Sequence, residues 1–233
     1  CGAVTVNVAA GTYNESFSVG DVVGVSSTST ITIDGGDSSL TTITHNGSSN
    51  FGTVTLDGTD WLTMRNMRIE ATGTTGAGVL LANNADHNTF TNNSMYADPN
   101  STNFNLTNFT ISGSATARST NGVGSYNTLS NNLLTGGYYS IYMYGSASAI
   151  SVANSITNNV IDSAYYYGAY IFYQDSIEFS SNTMDLTTRG QINADGVYLY
   201  YSQNVLFNKN YIHAPDYGMY FYNFTKVAPK ARR

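Results

Sequence analysis

Leu129-Ser-Asn-Asn132-Leu-Leu134 and Ile156-Thr-Asn-Asn159-Val-Ile161 are one phrase written twice: apolar, two residues, Asn, one residue, apolar. It returns as Phe90-Thr-Asn-Asn93-Ser-Met95, Phe179-Ser-Ser-Asn182-Thr-Met184 and Phe207-Asn-Lys-Asn210-Tyr-Ile212, after a degenerate copy, Met64-Arg-Asn-Met67-Arg-Ile69. The copies start at residues 64, 90, 129, 156, 179 and 207, so the intervals are 26, 39, 27, 23 and 28 residues. Repeats of this length mark architectures in which each unit buries its apolar face only against its neighbours. The one long interval predicts an inserted loop at 97–125, where Ser, Thr and Asn are dense.

A second phrase keeps step with the first: Ser140-Ile-Tyr-Met-Tyr144, Gly168-Ala-Tyr-Ile-Phe172, Gly196-Val-Tyr-Leu-Tyr200 and Gly218-Met-Tyr-Phe-Tyr222. Alternation at period two makes these short strands with one face inward and the other outward. No stretch offers a helical period with caps. Short strands in fixed register within a repeat of this length predict an all-β chain, a parallel β-helix of roughly eight or nine coils about 4.8 Å apart. Residues 1–225 then form a single solenoid, and 226–233 a basic tail or linker.

The repeats resemble those of the right-handed parallel β-helix proteins of the pectin-lyase-like superfamily. The opening Val4-Thr-Val-Asn-Val-Ala-Ala-Gly-Thr-Tyr13-Asn-Glu15 is similar to the entry strand of that family, and Ile31-Thr-Ile-Asp-Gly35 with Thr42-Ile43-Thr44 to its next coil. The resemblance covers nearly the whole chain. It implies fold rather than chemistry, because the fold hosts lyases, hydrolases, esterases, phage spikes and adhesins. The catalytic strings of the family's enzymes are missing. None of His45, His87 and His213 lies in a Gly-His-Gly, and neither Gln-Asp-Thr nor Asp-Phe-x-Phe-Gly occurs.

Composition narrows the role. The 233 residues include only 10% charged residues and carry a net charge of −6, against roughly 25% charged in an ordinary soluble protein. Outside Lys226, Lys230, Arg232 and Arg233 there are five basic and fifteen acidic groups, a net of −10. That balance argues against nucleic acid as a partner. No apolar run is long enough for a membrane-spanning helix. The single cysteine, Cys1, allows no internal disulfide; it is either the lipidated terminus of a bacterial lipoprotein or the boundary of a fragment. Acidic, Lys-poor chains rich in Ser, Thr, Asn, Gly and Tyr look like the long secreted β-helical chains of gliding and biofilm-forming bacteria. The resemblance implies a secreted or bacterial cell-surface location.

Equivalent positions of a solenoid stack into ladders. Asn93, Asn132, Asn159, Asn182 and Asn210 form one, read here as structural, with amides bonding to the coils above and below. Sixteen of the nineteen tyrosines lie at or after residue 138. Tyr142, Tyr170, Tyr198 and Tyr220 are expected in one outward column, Tyr144, Phe172, Tyr200 and Tyr222 in the next, with Tyr139, Tyr167, Asp195 and Tyr217 beside them. Such a face suits sugar rings or another surface, because aromatic side chains offer large contact area and a hydroxyl. It equally suits simple sheet stabilisation, or cover by the 97–125 insertion.

A third outward column holds Asp162, Asp185 and His213 on successive coils, with Arg189 close in sequence. Carboxylates one coil apart are near the spacing of about 5–5.5 Å used by retaining glycosidases, and Arg189 is a candidate for a uronate carboxylate. The same pair suggests Ca²⁺ without supplying a full donor set; no other cofactor and no Cys/His metal site is expected. The leading expectation is a non-catalytic β-helix, a fragment of a longer chain, that adheres to or contacts a polysaccharide or surface glycan through the Tyr columns. The alternatives are a polysaccharide lyase or glycoside hydrolase built on Asp162, Asp185, His213 and Arg189, and a fibre subunit that self-associates end to end.

Overall fold

The computed structural model describes residues 2–46 and 52–223. Cys1 and the basic tail lie outside the described residues. Each repeat contributes one strand to each of three parallel sheets. The fifth shows the pattern: Thr128–Ser130 in the first sheet, Leu133–Gly136 in the second, Tyr139–Met143 in the third. All three sheets hold eight strands among the described residues. Seven full turns therefore separate the first rung from the last, slightly fewer than the eight or nine coils expected.

Register explains the repeated phrase. Phe90, Leu129, Ile156, Phe179 and Phe207 are aligned partners in the first sheet. Met95, Leu134, Ile161, Met184 and Ile212 are aligned in the second. All but Phe207 and Ile212 are buried, and those two pack against the same core. The phrase is thus two inward anchors around a tight corner.

The two central residues of the corner divide the labour. The first turns the chain: Asn66, Asn92, Asn131, Asn158 and Ser181 all have φ of 57°, and Lys209 has 54°. Asn tolerates this left-handed region better than most residues. The second builds the ladder. Each Oδ1 accepts the backbone N–H of the equivalent residue one rung back: Asn93 from Met67, Asn132 from Asn93, Asn159 from Asn132, Asn182 from Asn159 and Asn210 from Asn182. Each Nδ2 donates to the carbonyl of the previous rung's first anchor, as Asn159 does to Leu129 at 2.8 Å.

A second ladder precedes the first sheet. Asn127 Oδ1 accepts from Asn88 N, Asn154 Oδ1 from Asn127 N, and all three Nδ2 groups donate to carbonyls one rung back. Its signal in the sequence is an Asn five residues before each of Asn93, Asn132 and Asn159.

The stretch 97–125 is not a single inserted loop. Leu106–Ile111 is a regular strand of the third sheet, aligned with Gly76–Ala82 on one side and Tyr139–Met143 on the other. The extra length is a strap at 112–125. Its base is tight: Cβ atoms on Gly113 or Gly122 would collide with the opposite backbone at 2.1 Å. The strap covers the outer face of the sheet, with Ala115 against Ala77, Leu80 and Ala82. That cover buries Thr107 and Thr110 in what reads as a polar tract, while Asn108 points to the second sheet, its Nδ2 donating to the Thr135 and Gly136 carbonyls.

Candidate functional site

Alternation in the third sheet sends Ile141, Met143, Ala169, Ile171, Val197 and Leu199 fully inward. The tyrosines between them must therefore point out. Tyr142 aligns with Tyr170, Tyr170 with Tyr198 and Tyr198 with Tyr220. Their ring centroids are 5.7, 5.0 and 5.0 Å apart with interplanar angles of 21°, 30° and 12°. The neighbouring column runs Tyr144, Phe172, Tyr200 and Tyr222, at 5.5, 4.9 and 5.0 Å. Tyr139 stacks on Tyr167 at 5.8 Å, and Asp195 takes the next place in that column.

In the first column the rings lie face over face. What they turn to solvent is a comb of ring edges and hydroxyls rather than flat ring surfaces. Burial raises the phenol pKa values of Tyr142, Tyr167, Tyr170 and Tyr198, and pushes that of Tyr139 up to about 12. The hydroxyl of Tyr200 is pushed up to about 12, first by its hydrogen bond with Tyr201. At neutral pH these groups are hydroxyls, able to donate and accept.

The face is closed at one end and open at the other. The strap brings the Arg118 guanidinium 4.1 Å above the Tyr142 ring, 5.1 Å from Tyr139 and 5.6 Å from Phe104. Ser119 Oγ lies 3.1 Å from Tyr142 Oη. Tyr142 is only 4% exposed, so it is packing rather than a contact residue as the structure stands. Tyr144, Tyr170, Phe172, Tyr198 and Tyr200 are half-buried, and Tyr220 and Tyr222 reach 38% and 42%.

The acidic column assembles only in part. Asp162, Asp185 and His213 are aligned across three rungs, and His213 Nδ1 is 3.6 Å from Asp185 Oδ2. The hydroxyl and backbone N–H of Thr187 hold the Asp185 carboxyl below its ordinary pKa, with a smaller contribution from His213. A general acid needs the opposite shift. Arg189 turns away. Its guanidinium lies 4.8 Å from the Tyr165 ring centre and donates to the carbonyls of Ser101 and Gly137 at 3.1 and 3.4 Å. Among the described residues no three His, Cys, Asp or Glu side chains are arranged to hold a metal ion.

An aromatic stack on another corner was not evident from the repeats. Trp61, His87 and Tyr126 stack at 4.0 and 4.7 Å, nearly parallel, all with φ between 55° and 58°. Asp86 beside them is pushed up in pKa, first by burial and then by the charge of Asp60, against a hydrogen bond from Ser125 N.

The family description "Right handed beta helix region" matches residues 96–228, more than half of the chain. The chain belongs to that family. The right-handed β-helix also finds relatives among solved structures. A GH136 lacto-N-biosidase from Eubacterium ramulus is 12% identical, with a TM-score of 0.59 over 91% of this chain and 47% of that one. The β-helix thus spans about half the length of that enzyme. Pectin methylesterase PemA from Erwinia chrysanthemi is 10% identical over 99% of this chain and 83% of its own, with a TM-score of 0.43. An alginate lyase from Paenibacillus sp. str. FPU-7 is 12% identical over 97% and 93%, with a TM-score of 0.44. At these identities the likeness is one of fold. No curated protein matches the sequence. No helix among the described residues is long and apolar enough to cross a membrane.

Proposed function

We propose that this β-helix is a non-catalytic, secreted or cell-surface protein that contacts carbohydrate through the open end of its Tyr face, in an adhesive role. The observation that carries the reading is the gradient along that face. The strap seals Tyr142, while Tyr198, Tyr200, Tyr220 and Tyr222 form a two-column array of phenols facing outward. Phenol edges and hydroxyls serve the mixed apolar and polar surface of a sugar. Repetition along a rigid rod lets weak contacts add up. The lowered pKa of Asp185 and the turned-away Arg189 weigh against the acidic column as a cleavage site.

The test is binding to a panel of whole polysaccharides and oligosaccharides, beside a variant carrying Tyr198→Ser, Tyr220→Ser and Tyr222→Ser. Binding by the parent should fall about tenfold or more in the variant, the equivalent of about 1.4 kcal/mol spread over three contacts. A variant that folds and still binds like the parent overturns the reading. So does release of reducing sugar that is lost with Asp162→Ala and Asp185→Ala.

A further inference from the structure

The corner before the first sheet carries a column of its own. Backbone hydrogen bonds put Trp61, His87, Tyr126, Ala153, Ser176 and Asn204 on successive rungs. Trp61 N donates to Asp86 O, His87 N to Ser125 O, Tyr126 N to Val152 O, Ala153 N to Asp175 O and Ser176 N to Gln203 O. All six residues have φ between 53° and 58°, so their side chains leave the corner in the same direction. Trp61, His87 and Tyr126 stack nearly parallel at 4.0 and 4.7 Å. These distances are close to the spacing of one rung, about 4.8 Å, so the ring planes lie across the rod. The stack stops at Tyr126, because the next place in the column offers only the methyl group of Ala153.

His87 therefore has a ring on each face, whereas Tyr126 has one on a single face. Among the described residues no other ring stacks on Tyr126. Its outer face looks along the rod, over Ala153 and Ser176. Tyr126 is 49% exposed, while Tyr170 and Tyr198, each held between two rings of the Tyr face, are half-buried. The result is a step two rungs deep, about 10 Å along the rod, with a flat phenol ring as its wall. The stack behind that ring fixes its plane, so a guest meets a pre-organised surface.

Polar groups gather on the other side of the step. Asp175 Oδ1 accepts from Ser176 Oγ at 3.0 Å and from Asn204 Nδ2 at 2.7 Å, and Oδ2 accepts from Gln203 Nε2 at 2.8 Å. Ser176 and Asn204 are members of the column, so the carboxylate stands against it there. The hydrogen bond from Asn204 is the main reason that the Asp175 carboxyl lies below its ordinary pKa. An ionised carboxylate accepts at about four positions, and one remains for a further donor. A pyranose with equatorial substituents has the matching two sides: a ring face of C–H bonds and a rim of hydroxyls. A flat aromatic guest would use the ring and leave the polar rim without a partner.

We propose that the step over Ala153 is a second carbohydrate subsite, in which a neutral β-linked hexopyranose lies face-on against Tyr126 and turns a hydroxyl toward Asp175 on the next rung. It goes beyond the Tyr face, since it lies on another corner and uses a ring face where the Tyr columns turn out edges.

The experiment titrates the chain with a β-1,4-linked glucose hexamer and, separately, with a hexamer of arginine, following affinity and the sugar ring protons by nuclear magnetic resonance. Protons seated over an aromatic face move upfield. Tyr126→Phe keeps the face and should bind as the parent does. Tyr126→Ser removes it. Ala153→Asn, at a left-handed position that Asn tolerates, lays an amide over it. Both should weaken sugar binding by about tenfold and abolish the upfield shift, as expected for the loss of one stacked ring. The variant carrying Tyr198→Ser, Tyr220→Ser and Tyr222→Ser should leave that shift in place. An upfield shift that survives in Tyr126→Ser or Ala153→Asn overturns the subsite and leaves the Tyr face standing. Arginine hexamer bound at Tyr126 as tightly as the sugar overturns the assignment to a sugar. No upfield shift with the parent overturns the subsite as well, whereas the reading of the Tyr face falls only with its own triple variant.

Discussion

Asn159→Ala is expected to destabilise the solenoid by about 2–4 kcal/mol, because it strands a buried N–H and removes three further hydrogen bonds between rungs. Asn159 Oδ1 accepts from Asn132 N at 3.0 Å and from Asn132 Nδ2 at 3.1 Å. Its Nδ2 donates to Leu129 O and Asn182 Oδ1 at 2.8 and 3.1 Å. Alanine leaves the buried Asn132 N–H unpaired and takes from the Leu129 carbonyl one of its donors, and water cannot follow into a corner only 1% exposed. Each such orphan costs about 1–3 kcal/mol. The residue before it is the control. Asn158 is exposed, and it holds the left-handed turn at φ 57° with no side-chain hydrogen bond. Asn158→Ala should cost only about 1 kcal/mol, and Asn158→Gly close to nothing. Solenoids unfold in segments, so hydrogen exchange of Leu129, Asn132 and Ile156 is the better readout, supported by the urea midpoint. Equal effects at 158 and 159 would show that the amide ladder contributes nothing beyond the turn.

The contrast between those two asparagines also says how far the sequence could be read. The Asn-Asn pair is conspicuous because two separate demands, a left-handed φ and a stacking amide, favour the same residue type in consecutive places. Where the first demand is met by Ser181 or Lys209, the copy is still recognisable because Asn182 and Asn210 remain. The strand Leu106–Ile111 was hidden for the opposite reason. Thr107 and Thr110 are buried because the strap folds over them, a contact between distant parts of the chain that no local period records. Arg118 sits in a Ser/Thr tract with no motif, so its place on Tyr142 could not be foreseen. Arg189 misled in the other direction. It follows Asp185 by four residues, but the short 3-10 turn Thr187–Arg189, ended by Gly190 at φ 69°, swings the side chain toward Tyr165. Nearness in sequence to a column is not membership of it.

Raising the pH should dismantle the aromatic face before it harms the rest of the solenoid. The phenols of Tyr139, Tyr142, Tyr167 and Tyr170 have raised pKa values in the folded chain, chiefly because burial disfavours the phenolate. In the unfolded chain they ionise near pH 10, as free tyrosine does. The folded form therefore holds protons that the unfolded form releases. Their contribution to stability is whole below about pH 10 and is lost as the pH climbs through the folded values, which for Tyr139 means about 12. One pKa unit is about 1.4 kcal/mol; after discounting for the solvent that reaches these half-open rings, about 1 kcal/mol per phenol is a working figure. Four such phenols on two adjacent rungs come to about 4 kcal/mol, a large share of the stability of an ordinary domain, about 5–15 kcal/mol. The expected result is a phenolate absorbance that rises in two stages. The exposed tyrosines ionise first without change in far-ultraviolet circular dichroism, and the stacked ones follow together with a loss of strand signal. Arg118→Met, which keeps an apolar side chain over Tyr142, should move the ionisation of Tyr139 and Tyr142 to higher pH, since the guanidinium charge holds both phenols below what burial alone would give. A single absorbance step near pH 10 for all nineteen tyrosines, with the dichroism unchanged, would mean that the columns are solvated and contribute no packing.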